Sequence, residues 1–243
     1  MKKYKIDYSF LLLFIILLFS PKQHIIFKLL LCLILHEFGH IFFVYIFHFK
    51  IKKLKLSAFG FFLELEPKKE NFIKDIFLYS GGILLNGIAY FIFPDSSMKT
   101  INLILIIVNL IPIYPLDGFN LLKTIFSYFF SYYYSLKISF YISIFINTLI
   151  VLWFCFMQMD LIIIMNYLYL FILNVSFGLH QNIILNRFIL ERQLYHFEYP
   201  VKKIHFHENI KKHIYKYFKI EMKLSNKCIS EDDLLELYQR TKI

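Results

Sequence analysis

The chain has few charged residues and few cysteines. Asp, Glu, Lys and Arg make up only 18% of its 243 residues, and hydrophobic residues make up 58%, against about 45–50% in a typical soluble domain. Too little polar surface remains to coat one water-soluble globule of this size, which excludes a soluble enzyme and a disordered protein. The three cysteines, Cys32, Cys155 and Cys228, are scattered and form no CxxC pair, which argues against a disulfide scaffold and a cysteine zinc site.

Six apolar stretches predict an all-α, polytopic membrane protein with about six transmembrane helices. They cover residues 6–20, 25–49, 76–93, 101–130, 138–158 and 161–178. About 20 apolar residues cross a bilayer as a helix, so the second stretch is long enough and the first is marginal. The first resembles a signal peptide, but no small-residue cleavage site follows it, so we interpret it as a retained helix.

The basic residues fall mainly on one side of these predicted spans. The formal charge is +10 at pH 7, and with a cytoplasmic N-terminus 24 of the 27 Lys and Arg residues lie in inside segments. This is the positive-inside distribution, so we expect both termini in the cytoplasm. Topology and anionic lipid at the inner face account for the basic excess, and no nucleic-acid partner is expected.

Residues 36–40 read His-Glu-Phe-Gly-His, an HExxH pattern inside the second predicted span. Residues i and i+4 of a helix share a face, so the imidazoles of His36 and His40 can reach one metal ion. Glu37 then lies beside the metal, where it can accept a proton from water. Two imidazoles and a carboxylate deep in a bilayer are costly without partners, which favours a functional site over histidines that bind nothing.

A third ligand is expected from a later segment that prolines interrupt. Asp117 is the only other acidic residue deep in the apolar part of the chain. Pro112, Pro115 and Gly118 break the predicted helix around it. A broken helix can turn a carboxylate inward where it lines a cavity. The alternative is a proline-kinked span in which Asp117 accepts hydrogen bonds from the freed amides.

The two motifs together resemble those of a known family. HExxH in an early span, followed by Asn-x-x-Pro-x-x-Pro-Leu-Asp-Gly at residues 109–118, resembles the site-2 protease family of intramembrane zinc metalloproteases. The likeness extends over residues 1–195 and is closest to the sporulation branch, which processes a pro-sigma factor. It implies one zinc ion held by His36, His40 and Asp117, with Glu37 as the catalytic base.

The resemblance also implies a cellular setting and partners. We expect an enzyme of the bacterial cell membrane that cuts a membrane-tethered protein and releases the product into the cytoplasm; the resemblance points to a pro-sigma factor as that substrate. Members of this branch are held inactive by membrane partners, so such inhibitory partners are implied as well. The lipid bilayer is the remaining expected partner.

Substrate contacts are implied by the same resemblance. Residues 80–86 fall where the family carries a Gly-Pro…Asn segment. The expected substrate-binding residues are Gly81, Gly82, Asn86, Asn109, Pro112 and Pro115. Gly82 replaces the usual proline and Phe119 replaces a common second glycine, which affects the substrate groove more than the metal ligands. Asn86 as a contact between helices remains an open alternative.

A β-hairpin is expected between the second and third spans. Residues 53–56 and 62–66 alternate with period two around a turn, so Lys53 and Lys55 can face Glu64 and Glu66. One interpretation is a sheet edge to which an unwound substrate strand adds. The other is an amphipathic hairpin at the membrane surface.

The C-terminal quarter is expected to form a separate part. We divide the chain into a transmembrane metalloprotease domain, residues 1–180, and residues 181–243, an interfacial helix with a small cytoplasmic tail. Residues 229–238 look like the closing helix of one CBS repeat. This indicates a reduced remnant of that nucleotide-binding unit, for which ATP binding is not expected.

Two other functions compete with proteolysis. A catalytically inactive membrane scaffold or regulatory pseudoprotease would have the same spans, but the intact HExxH and Asp117 argue against it. A zinc transporter would need polar residues along a path on several spans, whereas the polar residues here concentrate in one layer.

Overall fold

The protein is mainly helical, with two small sheets. A computed structural model describes residues 4–6, 23–57, 60–158, 161–195, 197–205, 210–224, 227–233 and 235. The helices are α1 Gln23–Ile46, α2 Phe72–Ile92, α3 Ser96–Leu110, α4 Asp117–Phe129, α5 Tyr132–Phe156 and α6 Leu161–Tyr195. The strands are β1 Tyr4–Ile6, β2 Ile51–Ser57, β3 Gly60–Leu65, β4 Val201–His205, β5 Lys219–Leu224 and β6 Lys227–Ser230.

The described chain divides into two compact units. The first unit comprises Met1–Lys68 and Ile73–Ile111, and the second comprises Lys69–Phe72 and Pro112–Ile243. Helices α1 and α3 therefore belong to the first unit, as does α2 apart from its first residue. Helices α4, α5 and α6 belong to the second.

Four helices among the described residues are long and apolar enough to cross a membrane. They are α1, α2, α5 and the Tyr167–Tyr195 part of α6, and α3 is a shorter apolar helix. Large apolar side chains such as Phe91 and Phe156, 81% and 80% exposed, are unfavourable in water and suit contact with lipid. The expected class, a helical membrane protein with small sheets, is confirmed. Apart from residue 6, the first predicted span lies outside the described residues.

The fourth predicted span, residues 101–130, consists of two helices. α3 ends at Leu110 and α4 begins at Asp117. The intervening C-cap residue Ile111 is extended, with φ −65° and ψ 127°, as expected for a residue that precedes a proline. Pro112 also lacks the backbone donor that a continuing helix needs. The prediction of a proline-broken helix is confirmed.

The predicted hairpin is present as β2 and β3, which pair antiparallel, and β1 adds to β2 in parallel. Lys53 pairs in register with Glu64, as expected, but Lys55 pairs with Phe62. The expectation that Lys55 faces a second glutamate is therefore wrong, because antiparallel strands run in opposite directions, so two residues beyond the Lys53–Glu64 pair the partner of Lys55 is residue 62 and not residue 66. The ion pair on Glu64 comes from Lys52, with Nζ 3.1 Å from Oε1.

Helix α6 runs without a break through Gly178, so the sixth predicted span and the helix expected after it form one continuous helix. A Cβ atom at Gly178 would lie closer than 3.0 Å to the ring of Phe140. The glycine therefore permits close packing of α5 on α6 and does not end the helix. Farther along α6, Leu185 and Ile189 are buried in the core of the second unit.

The C-terminal strands form a sheet of order β4-β5-β6, in which β4 is parallel and β6 antiparallel to β5. Ile220 and Met222 on β5 are fully buried in the core that α5 and α6 provide. Arg192 on α6 pairs with the buried Glu231 and donates hydrogen bonds to three backbone carbonyls of residues 215–218. Burial raises the pKa of Glu231, and the Arg192 guanidinium opposes that shift. The tail is thus anchored to the end of α6.

The division of the chain at residue 180 stays a prediction. Of the segment likened to a CBS helix, residues 231–233 and 235 are helical. Residues 234 and 236–238 of that segment lie outside the described residues.

Candidate metal centre

The helix that carries HExxH packs backbone to backbone against α2. A Cβ atom at Gly39 would lie closer than 3.0 Å to the carbonyl oxygen of Gly81, and one at Gly81 would also lie closer than 3.0 Å to the carbonyl oxygen of Gly39. Only glycine permits this approach, since any side chain would force the two helices apart. The contact places the middle of α1 directly against the start of the Gly-Gly segment.

Gly82 makes room for the first histidine. His36 is only 4% exposed, and a Cβ atom at Gly82 would lie closer than 3.0 Å to Cε1 and Nε2 of its ring. The imidazole thus occupies the space that a side chain on α2 would fill. This gives a structural reason for the glycine at this position.

The two imidazoles converge through their Nε2 atoms. His36 Nε2 and His40 Nε2 are 3.4 Å apart, and the rings meet edge to face at 77°. Two nitrogens bound at ~2.0–2.1 Å to one tetrahedral zinc ion lie roughly 3.3–3.4 Å apart. The i, i+4 spacing of the motif therefore places both nitrogens at the separation that a shared metal requires.

The other ring nitrogens contact groups on α2. His40 Nδ1 lies 2.8 Å from the carbonyl oxygen of Leu78. His36 Nδ1 lies 3.1 Å from the side-chain amide of Asn86. Such contacts hold a metal-binding imidazole in a fixed orientation. The amino-acid sequence does not indicate the role of the Leu78 carbonyl, because a backbone acceptor carries no side-chain signal.

Glu37 follows His36 on α1 and is half-buried. It belongs to the same rigid helix as both histidines, so its position along the helix relative to them is set by the backbone alone. The motif as a whole lies near the middle of a 24-residue helix.

Asp117 lies in the second unit, as the first residue of α4, and is partly buried. A carboxylate in the first turn is stabilised by the helix dipole. The residues beside it are firmly packed: the ring of Phe119 lies 5.4 Å from that of Tyr114 and 5.0 Å from that of Phe177. The Tyr114 amide also donates a 2.9 Å hydrogen bond to Ser143 Oγ. Phe119, in place of a second glycine, thus anchors the loop that presents Asp117.

The remaining expected substrate residues are distributed between the two units. Asn109 is near the end of α3, and its Nδ2 donates a 3.0 Å hydrogen bond to the Leu105 carbonyl in the same helix. Pro112 and Pro115 lie in the loop before α4. A substrate role for these residues stays a prediction.

An ion pair outside the motif also positions α1. Lys28, near the start of α1, pairs with Asp95, the N-cap of α3. The hydrogen bond from Lys28 holds the pKa of Asp95 at about 2, with smaller contributions from the Ser97 and Met98 amides. Farther along α1, Asn102 of α3 donates to Cys32 Sγ at 3.3 Å. Neither contact could be predicted from the motif, because Asp95 and Asn102 lie far from α1 along the chain.

The described residues thus place an HExxH motif, which is typical of metalloproteases, on a helix of a membrane protein. Two comparisons with known proteins agree with this class of protein. The chain is 35% identical over 117 residues to stage IV sporulation protein FB of Bacillus subtilis (strain 168), a match that covers 41% of this chain and 41% of that protein. The match thus spans less than half of the curated relative. No protein-family model matches the chain.

A solved structure shares the fold. The site-2 protease from Methanocaldococcus jannaschii aligns with a TM-score of 0.55 and 24% sequence identity, over 72% of this chain and 91% of that one. This likeness shows the fold alone. Taken together, the sequence match and the fold support a relationship between this protein and the site-2 protease family.

Proposed function

We propose that this protein is an intramembrane zinc metalloprotease in which His36, His40 and Asp117 hold one zinc ion. The observation that carries the proposal is the 3.4 Å separation of the two Nε2 atoms, which matches the ligand spacing of tetrahedral zinc. His36, His40 and Asp117 each offer one ligand atom. Two imidazoles and one carboxylate leave a fourth position open, as a catalytic zinc site requires.

The proposed reaction is hydrolysis of a peptide bond. Zinc, when bound, would lower the pKa of the attacking water and polarise the scissile carbonyl. Glu37 accepts a proton from that water and returns it to the amine of the leaving product. The backbone of α1 keeps Glu37 next to the histidines, so no loop has to close to place the base.

The position of the motif indicates where cleavage takes place. His36 lies 13 residues into a helix that begins at Gln23, which corresponds to ~20 Å of helix at ~1.5 Å per residue. The reaction therefore occurs near mid-bilayer, at a depth where a helical substrate hides its peptide bonds. The substrate must unwind locally before attack. The antiparallel β2–β3 hairpin offers a place for the extended strand to pair.

The proposed substrate is a membrane-tethered protein, and a pro-sigma factor is the first candidate. The B. subtilis relative is named for a stage of sporulation, which agrees with the substrate class that the motifs suggest. With both termini in the cytoplasm, as the distribution of basic residues predicts, the product is released to the cytoplasm. Substrate contacts from Gly81, Gly82, Asn86, Asn109, Pro112 and Pro115, and inhibition by membrane partners, belong to the same proposal.

The test is co-expression with candidate single-span proteins, followed by sequencing of the product ends. Glu37→Gln should retain zinc and fold but yield no product. Glu191→Gln is the matched control, because Glu191 is a partly exposed glutamate on α6 that pairs with Arg187 and lies outside the motif. Undiminished product from Glu37→Gln would refute the mechanism. A wild-type chain that binds no zinc and cleaves nothing would instead support the inactive scaffold.

A further inference from the structure

Two asparagines are fully buried on α5 and α6, helices that are long and apolar enough to cross a membrane. Asn147 of α5 and Asn174 of α6 are each 0% exposed. Both Nδ2 and Oδ1 of Asn147 lack a hydrogen-bond partner among the described residues, and so does Oδ1 of Asn174. Buried amide atoms normally have a partner, since leaving them without one is costly. These three atoms therefore indicate that something is bound beside them.

Contacts between the two helices show that Asn147 faces α6. Three contacts join α5 to α6, and they show that the helices run antiparallel: Leu136 with Gln181, Phe140 with Gly178 and Ser143 with Asn174. The α5 positions follow each other at spacings of four and three residues, the pattern of a helix face that packs on a neighbouring helix. The next position in that pattern is Asn147. It therefore lies one turn beyond the contact between Ser143 and Asn174.

The side chains of the two asparagines lean toward each other. In a helix the Cα–Cβ bond tilts toward the N-terminus. Asn147 therefore leans back toward the level of Ser143. Asn174 leans toward the level of Asn147, because α6 runs in the opposite direction. Their unpartnered atoms consequently line one space between the helices, beside Ser143.

The chemistry of these atoms identifies the kind of ligand that fits this space. The Asn147 amide offers both a donor and an acceptor. A cation would leave its donor unsatisfied, and an anion would leave the acceptors unsatisfied. An ion is also costly inside a membrane span, and the three residues that line the space carry no charge. A water molecule both donates and accepts hydrogen bonds, so it matches all three atoms.

We propose that Asn147 and Asn174 bind an internal water molecule between α5 and α6. The water accepts a hydrogen bond from Nδ2 of Asn147 and donates one to Oδ1 of the same amide. Its other proton is donated to Oδ1 of Asn174. One water thus satisfies the three unpartnered atoms with three hydrogen bonds, and about three is the usual number for a buried water.

The hydrogen bonds continue from this site to the loop that presents Asp117. Nδ2 of Asn174 donates to Ser143 Oγ, which also accepts the 2.9 Å hydrogen bond from the backbone amide of Tyr114. The water therefore stands at one end of a chain of hydrogen bonds that stabilises the loop. This role requires neither zinc nor substrate, so the inference is independent of the proposed reaction.

The experiment detects the water by solid-state NMR of the full-length protein in lipid bilayers, with asparagine side chains labelled with nitrogen-15. Magnetisation from water protons should reach the side-chain nitrogens of Asn147 and Asn174, although neither residue is exposed to bulk water. Asn147→Leu keeps the side-chain size but removes donor and acceptor, so the transfer to Asn174 should be lost. Thr148→Val is the control, because Thr148 is exposed and donates to the Ile144 carbonyl of its own helix. It should leave both signals unchanged.

Three results of this experiment would overturn the water site. The first is no transfer from water to either asparagine in the wild type, and the second is a direct hydrogen bond between the two amides. The third is an equal loss of transfer in Thr148→Val. If Asn147→Leu does not fold, Asn147→Ser replaces it: serine keeps a donor and an acceptor, so Asn174 should retain its transfer. Loss of that transfer in Asn147→Ser contradicts the proposal.

Hydrogen exchange tests the connection to the loop. Asn174→Leu removes a ligand of the water and the donor to Ser143 together. The Tyr114 amide should then exchange about fivefold faster, as expected for the loss of roughly one hydrogen bond. The Tyr132 amide, which donates to the Ile214 carbonyl at the start of α5, should keep its rate. An unchanged rate at Tyr114, or equal acceleration at Tyr132, would refute the connection.

Discussion

Substitution of Gly82 by alanine should displace His36 and weaken metal binding. The added Cβ atom would lie closer than 3.0 Å to the His36 ring, whereas carbon contacts are comfortable at ~3.5–4.0 Å. The ring must therefore move by roughly 1 Å. A displacement of that size is enough to lower the rate of a catalysed reaction about 100-fold. Overpacking a buried contact costs about 1–3 kcal/mol of stability.

A second glycine on the same helix provides the control. A Cβ atom at Gly87 would meet nothing within 4 Å, so Gly87→Ala only removes backbone freedom from a helix interior. That change should stabilise the protein by about 0.5–1 kcal/mol. Both variants contain the same added methyl group, and the difference between them isolates the contact with His36.

The assay combines thermal unfolding in detergent with a zinc competition titration. We expect Gly82→Ala to lose both stability and zinc affinity, and Gly87→Ala to keep its zinc affinity. Equal zinc affinities in the two alanine variants would show that the His36 ring does not occupy the space beside Gly82. Gly82 would then have no part in placing the first ligand.

Three further predictions concern the third ligand, an ion pair and the tail. Asp117→Ala should bind far less zinc by metal analysis, and unchanged occupancy would remove Asp117 as a ligand. The depressed pKa of Asp95, about 2, contributes stability that is fully present above its unfolded value of ~3.9 and is lost as the pH falls through about 2. The difference in melting temperature between wild type and Asp95→Asn should therefore be constant near neutral pH and disappear in strong acid; a difference that persists there contradicts the Lys28 pairing. Arg192→Met leaves the buried Glu231 carboxylate without its counter-ion, a change that costs about 3–5 kcal/mol for a buried pair, so limited proteolysis should cut the tail much faster than in an Arg187→Met control.

Local patterns along the chain predicted much of the fold. Pro112 and Pro115 predicted the break between α3 and α4, because a missing donor and a fixed φ act on the residues beside them. Period-two alternation predicted the β2–β3 hairpin, although the pairing of Lys55 was wrong because the alternation gives the side-chain face of each residue but does not specify its partner on the other strand. The close contact of Phe140 with Gly178 could not be predicted, because the sequence does not record which side chain of a neighbouring helix a glycine will meet.

The paired histidines follow from the sequence by itself, because the i, i+4 geometry of a helix brings His36 and His40 together wherever the helix lies. The apolar composition likewise determines that the protein belongs in a membrane. Only the tertiary structure decided what surrounds those histidines: the glycine contact of Gly39 with α2, the space beside Gly82 and the amide of Asn86. Residues some fifty positions apart meet through the packing of one helix on another, and packing depends on shapes that no local pattern in the sequence records.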